Sequence, residues 1–215
     1  MTIQKNNAKL KKVVLFALKL FDKSKVQIEM EKFTNRPTLK GDSPFYLTAT
    51  VIDWIDVFTR EGCKNIIIDS LKYCINNKGL TVYAYCLMSN HIHLIASASE
   101  GNDLGSIIRD FKKYTSKAIF QFIQEGGESR ADWMLPRFIL ASKGLANYKN
   151  FKIWQEGNYP IQLYSKKFYQ QKMNYIHNNP VKAKIVNKPE HYLYSSAIDY
   201  AGGNGLLPII LIDIF

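Results

Sequence analysis

The chain has 215 residues, of which 47% are hydrophobic and 22% are charged, and its formal net charge is +11 at pH 7. This length is typical of one domain with additions rather than of two equal domains. The composition is that of an ordinary globular protein and excludes a fibrous or largely disordered one. The excess of lysine and arginine creates a positive field that attracts polyanions, so nucleic acid is the leading partner class.

The cysteines and one apolar run indicate the cellular compartment of the protein. Cys63, Cys74 and Cys86 form no Cys-x-x-Cys pair, so they favour reduced thiols rather than a disulfide framework or a thiolate zinc site. An apolar run at residues 13–21 is interrupted by Lys19 and is too short to cross a bilayer. We therefore expect a cytoplasmic protein without a membrane partner, associated with the nucleoid when it is bound to DNA.

Three regions are predicted along the chain. Residues 1–40 are rich in lysine and asparagine and are interpreted as a basic N-terminal extension. Turn-forming residues at 41–44 begin a catalytic domain over residues 41–200, and residues 201–215 form a C-terminal tail.

The first elements of the central domain alternate between strands and helices. β-branched and aromatic residues predict a strand at residues 45–52. Apolar residues spaced three and four apart predict a helix over residues 64–77 that ends near Gly79. Two strand-like runs, residues 80–85 and 91–96, flank a short connection and predict a pair of neighbouring strands.

The second half of the domain is less regular. A long amphipathic helix is predicted over residues 103–124. Residues 131–160 show no clear period and remain unassigned, except for a short strand at 151–154. A helix that begins after the capping Ser165 is predicted to end at about Asn179, because a proline follows. Interleaved strands and helices indicate an α+β domain.

Two histidines form a candidate metal site. His91 and His93 are two residues apart, and alternate side chains of a strand share a face, so both rings can bind one metal ion while Ile92 points into the core. Two histidines leave the shell of a divalent ion incomplete, so a third ligand must come from another element.

A tyrosine and an asparagine on the late helix complement this pair. Tyr175 and Asn179 are four residues apart and lie on one helical face. The phenol is a candidate nucleophile, and the amide oxygen can complete a metal shell. A neutral phenol is a weak nucleophile, so a divalent cation that polarises a phosphate would be part of the mechanism. His177 is an accessory candidate in the same segment, whereas His191 is expected to pack or to lie on the surface.

Basic and aromatic residues supply candidate DNA contacts. The predicted DNA-binding residues are Arg109, Lys112, Lys113, Lys117, Lys172 and Lys182. Aromatic residues are interleaved with basic ones in the unassigned stretch, as a base-stacking surface requires, although core packing is the alternative use. These aromatics are Trp133, Phe138, Tyr148, Trp154 and Tyr159.

Three segments resemble those of the REP-associated tyrosine transposases, which belong to the HUH single-strand transposase superfamily with its IS200-like domain. The sequence Tyr-Cys-Leu-Met-Ser-Asn-His-Ile-His-Leu-Ile at residues 85–95 resembles the HUH strand of that family. The sequence Tyr-Ile-His-Asn-Asn-Pro-Val-Lys-Ala at 175–183 resembles its tyrosine segment, and Tyr-Ser-Ser-Ala at 194–197 its downstream element. The resemblance extends from about Phe45 to Tyr200.

The resemblance implies a fold, a chemistry and a partner. The fold is a ferredoxin-like antiparallel sheet backed by helices. His91 and His93 would bind Mg²⁺ or Mn²⁺, and Asn179 would complete the metal shell. Tyr175 would attack DNA to leave a 5′-phosphotyrosine link and a free 3′-hydroxyl, which can reverse the reaction without a nucleotide cofactor. The implied partner is single-stranded or hairpin DNA, bound by a monomer or a homodimer.

Several alternatives stay open at this point. The motifs are far apart, because Tyr175 lies 82 positions after His93, and Tyr114 on the intervening helix is a rival nucleophile. Tyr175 is preferred because only it has an asparagine partner. The other functions are a domesticated DNA-binding protein of the same fold that does not cleave DNA, and a metal-dependent hydrolase of small molecules. The positive charge and the lack of acidic residues near the histidines weigh against the hydrolase.

Overall fold

A computed structural model describes residues 43–145, 148, 150–157 and 160–212 of the chain. The described residues lie within a compact unit, Leu39–Phe215. The predicted N-terminal extension, with its apolar run, lies outside the described residues, as does Tyr159. No helix in the described ranges is long and apolar enough to cross a membrane.

The described residues form four strands and five α-helices. The strands are β1 (Phe45–Thr50), β2 (Leu80–Leu87), β3 (His91–Ala98) and β4 (Ile161–Gln162). The helices are α1 (Glu61–Lys78), α2 (Leu104–Phe122), α3 (Ala131–Leu140), α4 (Lys166–Lys182) and α5 (Ala197–Tyr200). Shorter helical turns are Ile52–Trp54, Val57–Thr59, Ile123–Gly127 and Pro189–His191.

The four strands form one sheet in the order β2-β3-β1-β4. Every neighbouring pair is antiparallel. α1 connects β1 to β2, and α2 follows β3, so each helix crosses the same face of the sheet. This strand order and alternation confirm the predicted ferredoxin-like α+β fold.

The two faces of the sheet are covered by different helices. α1 and α2 bury their apolar sides in the larger core on one face, which we call the α1–α2 face. α4 buries Tyr169, Met173 and Ile176 on the other face, which we call the α4 face. Side chains alternate along a strand, so neighbouring residues of β1 and β3 point to opposite faces. The sheet therefore lies between the exposed side chains of α2 and those of α4.

The late helix is longer than predicted. α4 does not end at Asn179 but continues through Pro180 to Lys182. The proline removes one backbone donor, yet the helix resumes its hydrogen bonds because the Ala183 amide donates to the Asn179 carbonyl at 2.9 Å. Asn179 and Lys182 thus lie within the helix that carries Tyr175.

The stretch left unassigned contains a helix and lacks the predicted strand. α3 forms over Ala131–Leu140 and buries Met134 and Phe138, which are four residues apart. Residues 151–154 contribute only an isolated bridge between Val51 and Trp154. Pro136 lies inside α3, and a proline within a segment argues against a helix when only the sequence is known. The extended segment at 151–154 pairs through too few residues to form a strand.

Candidate active site

The histidine pair lies on the α4 face of the central strands. Antiparallel pairing sets His91 opposite Thr50 and His93 opposite Thr48. The two imidazole ring centroids are 4.7 Å apart, whereas the intervening Ile92 is buried in the core on the α1–α2 face. The prediction that both rings share one face is confirmed.

Hydroxyl groups on β1 hold the ring of His93. The Tyr46 hydroxyl and the Thr48 hydroxyl each lie 2.9 Å from His93 Nδ1. His93 Nε2 is buried without a hydrogen-bond partner among the described residues. Burial, with the nearby charges of His91 and Lys172, lowers the pKa of His93 to about 3. The ring is therefore neutral at pH 7 and offers Nε2 as a ligand.

A second set of contacts holds the ring of His91. His91 Nδ1 donates to the Asn90 side-chain oxygen at 2.7 Å. The Asn90 amide nitrogen in turn donates to the Asp56 carboxylate at 2.8 Å and to the Trp54 carbonyl at 3.1 Å. Burial lowers the pKa of His91 below its usual value. Both histidines are thus held through Nδ1, an arrangement that leaves Nε2 of each free to bind a metal.

Tyr175 lies beside this pair on α4. Its ring centroid is 5.4 Å from that of His93 and 6.4 Å from that of Tyr46. The residue is 42% exposed, so a large ligand can reach it. Lys182 Nζ lies 5.3 Å from the Tyr175 ring centroid, and Lys172 Nζ lies 4.8 Å from that of Tyr46. Two of the predicted DNA-binding lysines therefore flank the tyrosine.

Asn179 is the candidate third ligand. It lies one helical turn after Tyr175, and its side-chain nitrogen is buried without a hydrogen-bond partner among the described residues. The described ranges contain no group of three or more His, Cys, Asp or Glu residues arranged to hold a metal. Two neutral imidazoles with free Nε2 atoms fit a divalent ion, and an amide oxygen is the kind of donor left to complete the shell.

The structure places the cations of α2 away from this site. The side chains of Arg109, Lys113 and Lys117 are exposed on the outer side of α2, which covers the α1–α2 face. Tyr114, the rival nucleophile, is exposed on the same helix. The sheet lies between these residues and His93, so they are not brought together with the histidine pair.

Two further predicted residues, Lys112 and His177, are buried or engaged in contacts within the protein. Lys112 is not on the outer strip, because its Nζ donates to the Gln155 carbonyl at 2.9 Å and burial lowers its pKa to about 8. His177 is buried on the side of α4 away from Tyr175, with Nε2 2.9 Å from the Ser196 hydroxyl. Its position favours a structural role over contact with DNA.

Some of the aromatic residues predicted to form a stacking surface are buried, and others are exposed. Phe138 and Trp154 are buried in the core, and the Trp154 indole donates to the Thr115 hydroxyl at 3.0 Å. Trp133 is exposed on α3, and Tyr148 is partly exposed. Core packing therefore accounts for two of the five aromatics.

Sequence reasoning did not single out Tyr46, Thr48 or Trp54. The alternation along β1 already places Tyr46 and Thr48 on one face. Nothing in the sequence shows that β1 pairs with the histidine strand in the register that brings these hydroxyls to His93. Trp54 follows the strand in a turn, and no periodic signal marks it.

Residues 49–152 match the family model described as IS200-like transposases. The resemblance to this transposase family is confirmed. The matched segment contains both histidines of the candidate site and ends before Tyr175. No curated protein gives a significant match.

One solved structure agrees with the family match on the fold. The structure of a REP-associated tyrosine transposase bound to a REP hairpin has 19% sequence identity and a TM-score of 0.55 over 84% of this chain and 92% of that chain. A crystal structure of a protein assigned as a transposase from Deinococcus radiodurans R1 has 17% identity and a TM-score of 0.38 over 67% of this chain and 96% of that chain. The first likeness shows that the two proteins share a fold.

Proposed function

We propose that this protein is a metal-dependent transposase that nicks and rejoins single-stranded DNA through Tyr175. The observation that carries the proposal is the exposed phenol of Tyr175, whose ring lies 5.4 Å from the ring of His93. A nucleophile and two neutral imidazoles with free Nε2 atoms meet at one end of the α4 face. The match to a transposase family supports DNA as the substrate.

The proposed reaction exchanges a phosphodiester of DNA for a phosphodiester to the tyrosine. Tyr175 Oη attacks the phosphorus of a DNA phosphodiester and loses its proton, while the bond from phosphorus to the 3′-oxygen breaks. The 3′-oxygen takes up a proton, and the 5′ end stays linked to the tyrosine as a phosphodiester. The link keeps the energy of the broken bond, so a 3′-hydroxyl from another strand can attack it and be joined.

The histidines and Asn179 would hold the cation that this reaction requires. A divalent ion such as Mg²⁺ or Mn²⁺ held by His91, His93 and Asn179 would polarise the phosphate and stabilise the charge that develops on it. The contacts of Tyr46, Thr48 and Asn90 hold the two rings in the orientation that a bound ion would need. Such outer contacts fix the ring orientation that a metal site needs.

Two lysines and the solved relative support hairpin-containing DNA as the ligand. Lys172 and Lys182 lie on the same side of α4 as Tyr175 and bring positive charge to the strand being cut. The REP-associated transposase of similar fold is bound to a REP hairpin. We therefore propose that this chain also binds single-stranded DNA next to a hairpin.

A cleavage assay with two matched tyrosine variants tests the proposal. A pool of labelled DNA hairpins with randomised single-stranded flanks is first selected for binding, and one recovered hairpin is incubated with the protein and Mg²⁺ or Mn²⁺. A denaturing gel then separates free DNA from covalent adduct. We expect the adduct with wild-type protein and Tyr114→Phe, and not with Tyr175→Phe.

The other outcomes contradict the proposal in different ways. Loss of the adduct only in Tyr114→Phe would move the nucleophile to α2. Binding by the wild-type protein without any adduct would favour a DNA-binding protein of this fold that does not cleave DNA. Cleavage without any adduct in the wild-type protein and in both variants would indicate water, rather than tyrosine, as the nucleophile.

A further inference from the structure

An exposed tryptophan lies at the edge of the candidate site. Trp54 is 60% exposed, and its ring centroid lies 5.9 Å from that of His91, with the rings in an edge arrangement. A large apolar ring left in water contributes little to folding, since its burial is what stabilises a protein. Packing therefore contributes little to the position of Trp54.

The backbone at this turn adopts a costly conformation. Asp53 has a φ of 51° and Trp54 a φ of 56°, although neither is glycine. Left-handed conformations are rare for residues other than glycine, asparagine and aspartate, and a bulky residue adopts them only where the surroundings enforce them. Strain of this kind concentrates at ligand-binding sites.

Contacts on both sides enforce the turn. Asn90, which orients His91, also donates to the Trp54 carbonyl at 3.1 Å. Arg130 donates to the Asp56 carbonyl at 2.9 Å. One asparagine thus links the position of a candidate metal ligand to that of the exposed tryptophan.

The surface beyond Trp54 is cationic and aromatic. Arg137 on α3 lies 4.0 Å from the Asp53 carboxylate and remains exposed. Trp133 lies one helical turn before Arg137 on the same side of α3 and is also exposed. Aromatic rings beside cations suit single-stranded DNA, because bases stack on the rings while the cations attract the backbone.

We propose that Trp54 stacks against an unpaired base of the DNA strand, close to the phosphate that Tyr175 attacks. The inference rests on the proposed function, because the position of the phosphate is set by the histidine pair. The neighbouring His91 ring places the indole within reach of the nucleotide next to that phosphate. Stacking tolerates any base, so Trp54 positions the strand rather than reading its sequence.

Removing bases one at a time tests the stacking. The hairpin recovered from the binding selection is synthesised with a single abasic site at each position of its flank in turn, and affinities are measured by fluorescence anisotropy in Tyr175→Phe protein to prevent cleavage. Trp54→Ala, Trp54→Phe and Tyr73→Ala are added to that protein. Tyr73 is a matched control, because it is a 57% exposed aromatic on α1, across the sheet.

We expect Trp54→Ala to weaken binding of the intact flank by about 5- to 150-fold, the range for loss of one stacked base. At one abasic position the same variant should have little further effect, because the base that it stacks on is already gone. Trp54→Phe should restore most of the affinity, and Tyr73→Ala should match the parent protein.

Equal affinities for Trp54→Ala and its parent, or an equal loss at every abasic position, would overturn the inference. The scan does not depend on cleavage, so a protein that binds without forming an adduct fails the nicking proposal while the role of Trp54 is still decided. A selection that recovers no hairpin at all would overturn both.

Discussion

The ring of Tyr175 lies 5.4 Å from the ring of His93, although 82 positions separate the two residues in the chain. The contact exists because Met173 and Ile176 dock α4 on the sheet face to which His93 points. The nucleophile candidate is thus placed by the packing of its own helix, and the histidine by its strand. Substitutions that leave α4 and β3 folded should therefore distinguish the chemical role of the tyrosine from that of the histidine.

The hydroxyls that hold His93 are expected to affect metal binding. Tyr46→Phe combined with Thr48→Val removes both hydrogen-bond partners of His93 Nδ1. Loss of such outer contacts weakens metal affinity by roughly 10- to 100-fold. Titration of Mn²⁺ by calorimetry measures the change. Tyr83→Phe is the control, because its hydroxyl bonds Ser97 instead, and a similar loss in that variant would contradict the prediction.

Asn179→Ala should lower metal affinity without destabilising the protein. The Asn179 side-chain nitrogen is buried without a partner among the described residues, and alanine favours a helix, so the free energy of unfolding should be unchanged or higher. Loss of a metal ligand should weaken Mn²⁺ binding by at least about tenfold. Calorimetry and urea unfolding report the two quantities.

The adjacent asparagine supplies the control for that experiment. Asn178 donates to the Asn174 carbonyl on the exposed side of α4. Asn178→Ala should leave Mn²⁺ affinity unchanged. Equal affinities for the Asn179→Ala and wild-type proteins would remove Asn179 from the metal site.

The cations on α4 should contribute more to DNA binding than those on α2. Lys172→Met or Lys182→Met should weaken binding of the hairpin DNA and reduce the slope of log affinity against log salt by about 0.7 for each lost phosphate contact. Lys113→Met and Lys117→Met remove the same charge from α2, on the α1–α2 face of the sheet. These two variants should change neither the affinity nor the salt slope. A larger effect from the α2 variants would place the DNA on the α1–α2 face.

Glu128 is expected to make stability depend on acid pH. Its side chain is 1% exposed and accepts from Arg130 at 2.7 Å and from Arg60 at 3.3 Å. The hydrogen bonds from Arg130, with smaller contributions from Arg60, lower the pKa of Glu128 to about 2. The folded state therefore favours the ionised carboxylate, and this stabilisation is present above pH 4.5 and is lost as the pH falls towards 2.

Glu128→Gln should then be less stable than the wild type by roughly 2 kcal/mol at pH 7, after allowance for screening at the partly exposed arginines. The difference should shrink towards pH 2. Urea unfolding at a series of pH values measures it. Glu125→Gln removes an exposed carboxylate that bonds only Gln121 among the described contacts, and it should follow the wild-type curve.

The local parts of the site were predictable because they depend on short periods. Two histidines at alternate positions of a strand share a face whatever the rest of the chain does, and Tyr175 and Asn179 share a face of any helix that contains them. The strand-rich and helix-rich segments around them also carried enough pattern to indicate an α+β fold. These inferences require only the residues within one element.

The tertiary structure alone decided which elements meet. The lysines and arginine of α2 have the same sequence pattern as a DNA-binding strip, but the sheet lies between them and the histidines. Phe138 and Trp154 are aromatic like Trp54, yet packing buries the first two and leaves the third beside His91. Burial and register depend on contacts between distant parts of the chain, and no local period encodes which face a neighbouring element will cover.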